Sequence, residues 1–304
     1  MGENYYRREP SSDVVDIYTG LDENRLNSLF VKMKNKPSIS LQSSLLTTRV
    51  TQRSDKQWAF QVSLTNDKYL SVFKVLVSDL VSIVSKETIQ MVAERKLVQR
   101  YSEWERLFEV AKDKLLSPSQ IQGLVGELYF INFKLFPVYG VEATIESWTG
   151  PDASNLDFSF SENWFEVKTK SINSHEVTIS NENQLQSSRE GYLTVISCER
   201  TSELSKSSFN LMSLYNLIVE KIENHNIRLT FFEKLAQLGF IPSSDYKDYS
   251  YTISGTEYYL VSQNFPKVSI PEDGSISQVK YKLNLPMLSG FRREEETWKN
   301  IEKN

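Results

Sequence analysis

Two acidic residues and a lysine near the middle of the chain have the types and spacing needed to hold a metal ion beside a phosphate. Asp157 lies nine residues before Glu166, and Lys168 follows Glu166 by two. Carboxylate oxygens are hard ligands that suit Mg²⁺, which keeps water and substrate phosphate in its other positions. The metal lowers the pKa of a bound water, and an ammonium group can orient that water. These residues predict in-line attack of water on phosphorus, with departure of a 3′-oxygen.

Two predicted strands must position these side chains. They are NLDFSF (155–160) and WFEVKTK (164–170), and each has a polar row and an apolar row. Alternate residues of a strand share a face, so Glu166 and Lys168 project together. If the two strands pair as a hairpin, Asp157 lies close to Glu166 in any register in which the two residue numbers of each facing pair add up to an odd number. A simple three-residue loop would place the two acids on opposite faces.

The same three residue types also occur by chance on exposed strands, where Glu and Lys only solvate the outer face. The neighbours of Glu166 are Phe165 and Val167, which favour a strand at a buried sheet edge. Both interpretations stay open on the sequence of this segment alone.

A further acid, Glu127, lies in the helix predicted before these strands. Gly123 and Gly126 are in the same helix, and each costs about 1 kcal/mol relative to Ala. Close packing of the helix on a sheet would justify them. Glu127 lies at the edge of the apolar stripe, where it either completes a local pair or reaches the metal.

The order of elements around the acids is the most regular part of the pattern. We predict a helix over 118–135 ended by Pro137, a strand over 142–148, the two strands above, a strand over 176–180, a short helix capped by Ser180 or Asn181, and a buried strand over 191–199. Elsewhere we predict a frayed segment over 1–20, strands within 39–64, helices over 68–86, 87–115, 209–224 and 228–239, strands over 251–262 and 279–285, and a C-terminal helix.

Composition excludes several classes of protein. The 304 residues are 39% hydrophobic, which excludes a disordered chain. Lys and Arg number 35 against 39 Asp and Glu, so a wholly basic nucleic-acid coat is excluded, although a local basic groove is not. Cys198 is the one cysteine, which excludes an internal disulfide. We see no signal peptide and no apolar run long enough for a membrane span, and expect a soluble cytoplasmic protein.

Several stretches together resemble the PD-(D/E)XK nuclease superfamily, whose fold is that of restriction endonucleases. They are GLVGELYFINFKL, WTGPDASNLDFSF, WFEVKT, ISNENQL and FPKVSIPEDGSISQVKYKLNL. The chain as a whole is similar to a bacterial family of PD-(D/E)XK proteins found among phage-defence and restriction genes. The resemblance implies an α/β (α+β) nuclease-like core over 116–205, an N-terminal α+β unit over 1–115 and a C-terminal helix-plus-sheet extension over 206–304.

The resemblance also assigns roles to residues. It implies that Asp157 and Glu166 are metal ligands, that Val167 offers its carbonyl, that Lys168 is the catalytic lysine and that Glu127 is the helix acid. The literal Pro-Asp pair of the motif is Pro151-Asp152, so Asp152 is the alternative metal acid. Gln184 and Lys170 are candidate contacts to a nucleic-acid backbone.

The expected function is Mg²⁺-dependent cleavage of DNA in a restriction or anti-phage system, with Mn²⁺ as a substitute ion. The resemblance implies DNA, a helicase-like ATPase and a methyltransferase as partners, and a homodimer stays open. The alternative is a catalytically inactive DNA-binding or scaffold subunit that keeps the nuclease fold, because fold alone does not prove activity. Leu156, where relatives often carry a polar residue, favours that alternative. A third interpretation is a structural protein whose motif is a chance match.

Overall fold

The computed structural model describes residues 6–11, 13–39, 43–110, 115–152, 154–202, 205, 207–268 and 278–299. Two compact units are distinguished by their internal contacts. One comprises Met1–Leu115 and Leu235–Asp245, and the other comprises Leu116–Lys234 and Tyr246–Asn304. The three-part division predicted from the sequence, into 1–115, 116–205 and 206–304, stays a prediction.

The first unit is built on an antiparallel sheet of five strands followed by two helices. The strands are β1 (Tyr6–Arg8), β2 (Ile17–Leu21), β3 (Asn27–Met33), β4 (Leu46–Gln52) and β5 (Trp58–Leu64), in the order β1-β2-β3-β5-β4. The helices are α1 (Leu70–Ser85), preceded by a 3-10 turn over Asp67–Tyr69, and α2 (Gln90–Val110). The expectation that residues 1–20 are frayed is wrong for the described part of this segment, since β1 and β2 pair and Val15 and Ile17 are buried. Residues 1–5 and 12 lie outside the described residues.

From Leu116 onward the chain alternates helices with short strands. The helices are α3 (Pro118–Phe130), a π-helical segment (Ile131–Leu135), α4 (Phe136–Tyr139), α5 (Val141–Ser147), α6 (Leu211–Lys221), α7 (His225–Gln237) and α8 (Glu295–Lys299), with 3-10 turns over Gly150–Asp152, Ser244–Tyr246 and Leu285–Phe291. The strands are β6 (Phe158–Ser159), β7 (Trp164–Lys170), β8 (Glu176–Ile179), β9 (Gly191–Thr201), β10 (Ser208–Phe209), β11 (Ser250–Val261), β12 (Tyr281–Asn284) and β13 (Arg292–Arg293).

The sheet of the second unit is mixed. Its order is β10-β11-β9-β7-β6, and β13 pairs with the far end of β11. The β7–β9 pair is parallel, and the other pairs of this sheet are antiparallel. Strands β8 and β12 form a separate antiparallel pair. The predicted mixed α and β class is confirmed.

Helix α3 covers one face of this sheet, and an apolar cluster covers the other. Phe130 of α3 packs edge-on against Phe165 of β7, with ring centroids 5.3 Å apart. On the opposite face, Trp164 of β7 joins residues of β8, β9, β11 and β12 in one buried cluster. The first half of β7 is therefore enclosed on both faces, which explains why its first four residues are buried.

Three predicted elements differ from the structure. The helix over 118–135 does not end at Pro137, because a π-helical turn places Pro137 in the first turn of α4, where a missing N–H costs nothing. The predicted strand over 142–148 is helix α5. The helix predicted after Ser180 is a set of turns, in which Leu185 is buried with φ +65°.

Candidate active site

The β6–β7 hairpin has the register that the clustering of the acids requires. Phe158 pairs with Phe165 and Ser159 pairs with Trp164, so the paired numbers add up to an odd sum. The turn is closed by the amide of Phe160, which donates to the Asn163 carbonyl at 2.9 Å. One further step along the same register sets residue 157 opposite residue 166.

Asp157 lies immediately before the first residue of β6, at the point beyond which β7 has no paired strand on this side among the described residues. Its side-chain Oδ2 accepts a hydrogen bond of 2.7 Å from the amide of Val167. Its backbone carbonyl accepts from the amides of Thr149 and Gly150 at 2.8 and 3.0 Å. The carboxylate thus supplies the acceptor that a longer β6 would have offered to β7.

Gly150 is required beside this carboxylate. A Cβ at residue 150 would lie 2.9 Å from Asp157 Oδ1 and 3.3 Å from Asp157 Cα. Any larger residue there would displace the acid, so the Gly-Pro turn of the sequence has a packing reason.

Glu166 is the most enclosed acid of the site, with no exposed surface. The Lys168 ammonium lies 2.7 Å from Glu166 Oε1, which is ion-pair distance, and the Lys168 side chain keeps 16% exposure. Neither Glu166 oxygen makes a hydrogen bond of good geometry with a described residue, although the Lys168 ammonium and the Asp157 backbone N–H are close enough to lower the pKa of this carboxyl group. A buried carboxylate with so few hydrogen bonds is costly, so this position suits a cation.

Glu127 reaches the same region from α3, because that helix packs closely on β7. A Cβ on Gly126 would lie 2.2 Å from Cγ2 of Thr169, so only glycine permits this approach. A Cβ on Gly123 would have no neighbouring heavy atom within 4 Å in the described part of the chain, so packing does not explain why this residue is glycine. The Trp148 indole N–H donates to Glu127 Oε2 at 2.9 Å.

Burial raises the pKa of all three carboxyl groups, and repulsion between carboxylates adds to the effect for Glu127 and Glu166. Burial, followed by the charge of Asp157, raises the pKa of Glu127 and of Glu166 to about 8 each. Burial also raises the pKa of Asp157, against the opposing effects of Lys168 and the Val167 amide. Burial alone would lower the pKa of Lys168, but the charges of Glu166 and Asp157 outweigh it and the net pKa is raised. Near neutral pH, Glu127 and Glu166 therefore hold protons that a cation would displace.

The residues fit a metal ion, although they do not form a ready-made shell. In the described part of the chain, no group of three or more His, Cys, Asp or Glu side chains is arranged so that it could hold a metal. Mg²⁺ needs only one or two carboxylates, with water in its other positions. The buried carboxylate of Glu166 and the Asp157 carboxylate opposite it meet that need.

The other candidate residues lie apart from this cluster. Asp152 is 48% exposed, and its Oδ2 lies 3.6 Å from the ammonium of Lys234. Gln184 closes a turn by accepting from the Ser180 amide at 2.8 Å. Lys170 is on the face of β7 that carries Glu166 and Lys168, one pleat further along. The roles assigned to these residues stay predictions.

Two side chains at the site were missed by the sequence reasoning. Trp148 was placed in a strand and given no role, although it is fully buried and bonded to Glu127. Tyr281 of β12 has a pKa raised by burial, against a hydrogen bond with the Val268 backbone, and the charge of Glu166 adds to the increase, so its phenol lies within electrostatic reach of that acid. A buried Trp needs a partner for its N–H, which is a signal that could have found Trp148. No local signal marks Tyr281, since it is far away in sequence.

An acid at the end of one strand, followed by Glu-x-Lys in the next strand and backed by a helix acid, defines the PD-(D/E)XK class of fold. The chain belongs to the family described as "Putative PD-(D/E)XK family member, (DUF4420)", whose model matches residues 3–286. The resemblance noted from the sequence and the fold class expected from it are confirmed. PD-(D/E)XK nucleases generally use divalent metal ions. Comparison with curated proteins and with solved structures gives no match.

No helix among the described residues is long and apolar enough to cross a membrane.

Proposed function

We propose that this chain is a metal-dependent nuclease that hydrolyses phosphodiester bonds of DNA, with Mg²⁺ as its ion and Mn²⁺ as a substitute. The observation that carries the proposal is the environment of Glu166. It is wholly buried, makes no hydrogen bond of good geometry with a described residue, and stands beside Lys168 and opposite Asp157. A structural core gains nothing from such a costly group, whereas a site that loads a cation requires one.

Each residue has a chemical task in this proposal. Asp157, Glu166 and the Val167 carbonyl would hold the ion, and Glu127 would complete its surroundings through water. When bound, the ion supplies an acidified water and screens the charge that develops at phosphorus. Lys168 orients the attacking water and offsets the negative charge of the phosphate. The water oxygen forms a bond to phosphorus, the bond to the 3′-oxygen breaks, and the 3′-oxygen takes up a proton.

The resemblance supports a wider setting for this activity. We place the chain in a restriction or anti-phage system of the cytoplasm, with a helicase-like ATPase and a methyltransferase as partners and a homodimer as a possible assembly. The net charge of −4 fits such a setting, because a motor partner could supply most of the affinity for DNA.

The test is nicking of supercoiled plasmid DNA with Mg²⁺ or Mn²⁺, comparing the wild type with Lys168→Ala. We expect cleavage by the wild type and a loss of at least about a hundredfold in the variant. Lys282→Ala is the matched control, because Lys282 is 65% exposed and its partner is Glu176 on the surface. Cleavage that survives in Lys168→Ala would place the activity elsewhere and end the proposal.

A second candidate function is a DNA-binding or scaffold subunit without catalysis. It is favoured by the fact that the carboxylates of Glu127 and Asp157 already accept hydrogen bonds from Trp148 and the Val167 amide. The plasmid assay, read together with DNA binding, separates the two functions. A protein that binds DNA but cleaves no plasmid with any of the ions tested would be a scaffold.

A further inference from the structure

A polar cavity of about 240 Å³ opens beside the strand that carries Glu166 and Lys168. Its lining includes Lys170 of β7, His175, Glu257 and Tyr259 of β11, and Arg292 of β13. The volume lies below the roughly 300 Å³ at which sites for drug-sized ligands begin, so the cavity suits a small group.

One strand, β7, contributes residues both to this cavity and to the candidate active site. Lys170 follows Lys168 by two residues, so both project from the same face of β7, roughly 7 Å apart. That spacing is comparable to the separation of successive phosphates along a nucleic-acid strand. A strand whose scissile phosphate lies at Lys168 would bring a neighbouring phosphate to Lys170.

The charges that line the cavity leave a positive excess. Glu257 Oε1 lies 3.2 Å from the guanidinium of Arg292, so this acid is neutralised by a neighbour. Burial, followed by the charge of Glu257, raises the pKa of Tyr259 to about 12, so its hydroxyl stays neutral near the same pair. Within the described residues, Lys170 forms no ion pair, unlike Lys168 and Arg292.

We propose that this cavity binds a phosphodiester group of the nucleic-acid strand, next to the phosphate that is cleaved. Lys170 supplies a point charge, and Arg292 supplies a planar fork that matches two phosphate oxygens. Glu257 keeps the guanidinium of Arg292 at the cavity, and the phosphate replaces Glu257 as the partner of that guanidinium. The inference rests on the proposed nuclease function for the position of the strand, but it concerns binding rather than cleavage.

The experiment measures binding of a fluorescently labelled DNA duplex by anisotropy over a series of salt concentrations, with EDTA present so that nothing is cleaved. Lys170→Gln should weaken binding roughly three- to tenfold and reduce the slope of log K against log salt by about one, as expected for one lost phosphate contact. Arg292→Gln should weaken binding in the same direction. Glu257→Gln should strengthen binding, because it removes the acid that competes with the phosphate.

Lys282→Gln is the matched control, since it removes one exposed positive charge on β12, outside the cavity lining. Opposite effects of Lys170→Gln and Glu257→Gln could not arise from misfolding, which would weaken binding in both. If the Lys170 and Lys282 variants behave alike, or if the wild type binds no duplex, the inference is overturned. If the salt slopes change as expected while no variant or wild type cleaves plasmid, the cavity assignment holds and the nuclease proposal fails.

Discussion

Replacing the buried acid Glu166 with its neutral isostere should change how stability depends on pH. The pKa of Glu166 is raised from 4.5 to about 8 in the folded protein, first by burial and then by Asp157. In the unfolded chain the same carboxyl loses its proton near its ordinary value. Between these two values the folded state holds more protons, so the free energy of unfolding must fall as pH rises from about 4.5 towards 8.

The magnitude follows from the size of this displacement. Between about pH 6 and about pH 8.5, titration of Glu166 removes about 3 kcal/mol from the free energy of unfolding, at about 1.4 kcal/mol per pKa unit. Glu166→Gln has no proton to lose there. We expect its stability to decline less than that of the wild type by about this amount, so that the variant is the more stable protein at the alkaline end.

The assay is urea unfolding at a series of pH values with EDTA present, followed by tryptophan fluorescence. Trp148 and Trp164 are fully buried in the unit that holds Glu166, and Trp104 is buried in the other unit, so the signal follows both units. The effect of Glu166 is therefore read from the difference between the variant and the wild type. Glu176→Gln is the control, because Glu176 is 46% exposed and should behave as the wild type does. Parallel stability curves for wild type and Glu166→Gln would refute the claim that Glu166 is protonated at neutral pH.

Three further outcomes follow from the same geometry. Gly126→Ala should destabilise the protein by about 1–3 kcal/mol in urea unfolding, because its methyl group meets Thr169, while Gly123→Ala should stabilise it by up to about 1 kcal/mol. Equal effects at the two glycines would contradict the packing argument. Trp148→Phe removes the hydrogen bond that lowers the pKa of Glu127, so the midpoint of a pH–cleavage profile should move up by about one unit. Binding of Mg²⁺ near neutral pH should release protons, seen as a calorimetric heat that varies with the ionisation enthalpy of the buffer, and a buffer-independent heat would count against protonated acids.

The sequence predicted which side chains lie on one face at the candidate site better than it predicted the elements around the site. Alternation of polar and apolar residues was enough to place Glu166 and Lys168 on one face of a strand, because side-chain direction in a strand follows directly from chain position. It was also enough to state which hairpin register would bring Asp157 into the cluster, although only the structure shows that this register is the one adopted. Helix packing on the sheet was suggested by two glycines, of which Gly126 proved to be the relevant one.

The errors arose where tertiary contacts outweigh local preference. Thr144 and Ile145 favour a strand by type, yet both are buried as part of helix α5. Asn181 does accept hydrogen bonds from two following amides, as a helix cap would, but Leu185 turns into the left-handed region and joins the apolar cluster, so no helix continues. Capping preferences describe how such a segment starts, but its further course is determined by packing against residues that are distant in sequence.

Contacts between distant segments were beyond the reach of the sequence argument. Tyr281 meets the field of Glu166 only because β12 pairs with β8 beside the main sheet. Arg292 lines the cavity next to β7 only because β13 pairs with β11. Neither pairing follows from spacing, since each joins segments that are separated by long stretches of chain.

The hydrogen bond between the Asp157 carboxylate and the Val167 amide bears on how members of this family would lose the proposed activity. One oxygen of the proposed metal acid also completes the backbone pairing of β7, so this residue would serve folding as well as the proposed chemistry. Asn at this position preserves that acceptor, whereas Ala leaves a backbone N–H unsatisfied at the sheet edge, at a cost of about 1–3 kcal/mol. Relatives that have given up catalysis but kept the architecture should therefore carry Asn at the position of Asp157 more often than Ala.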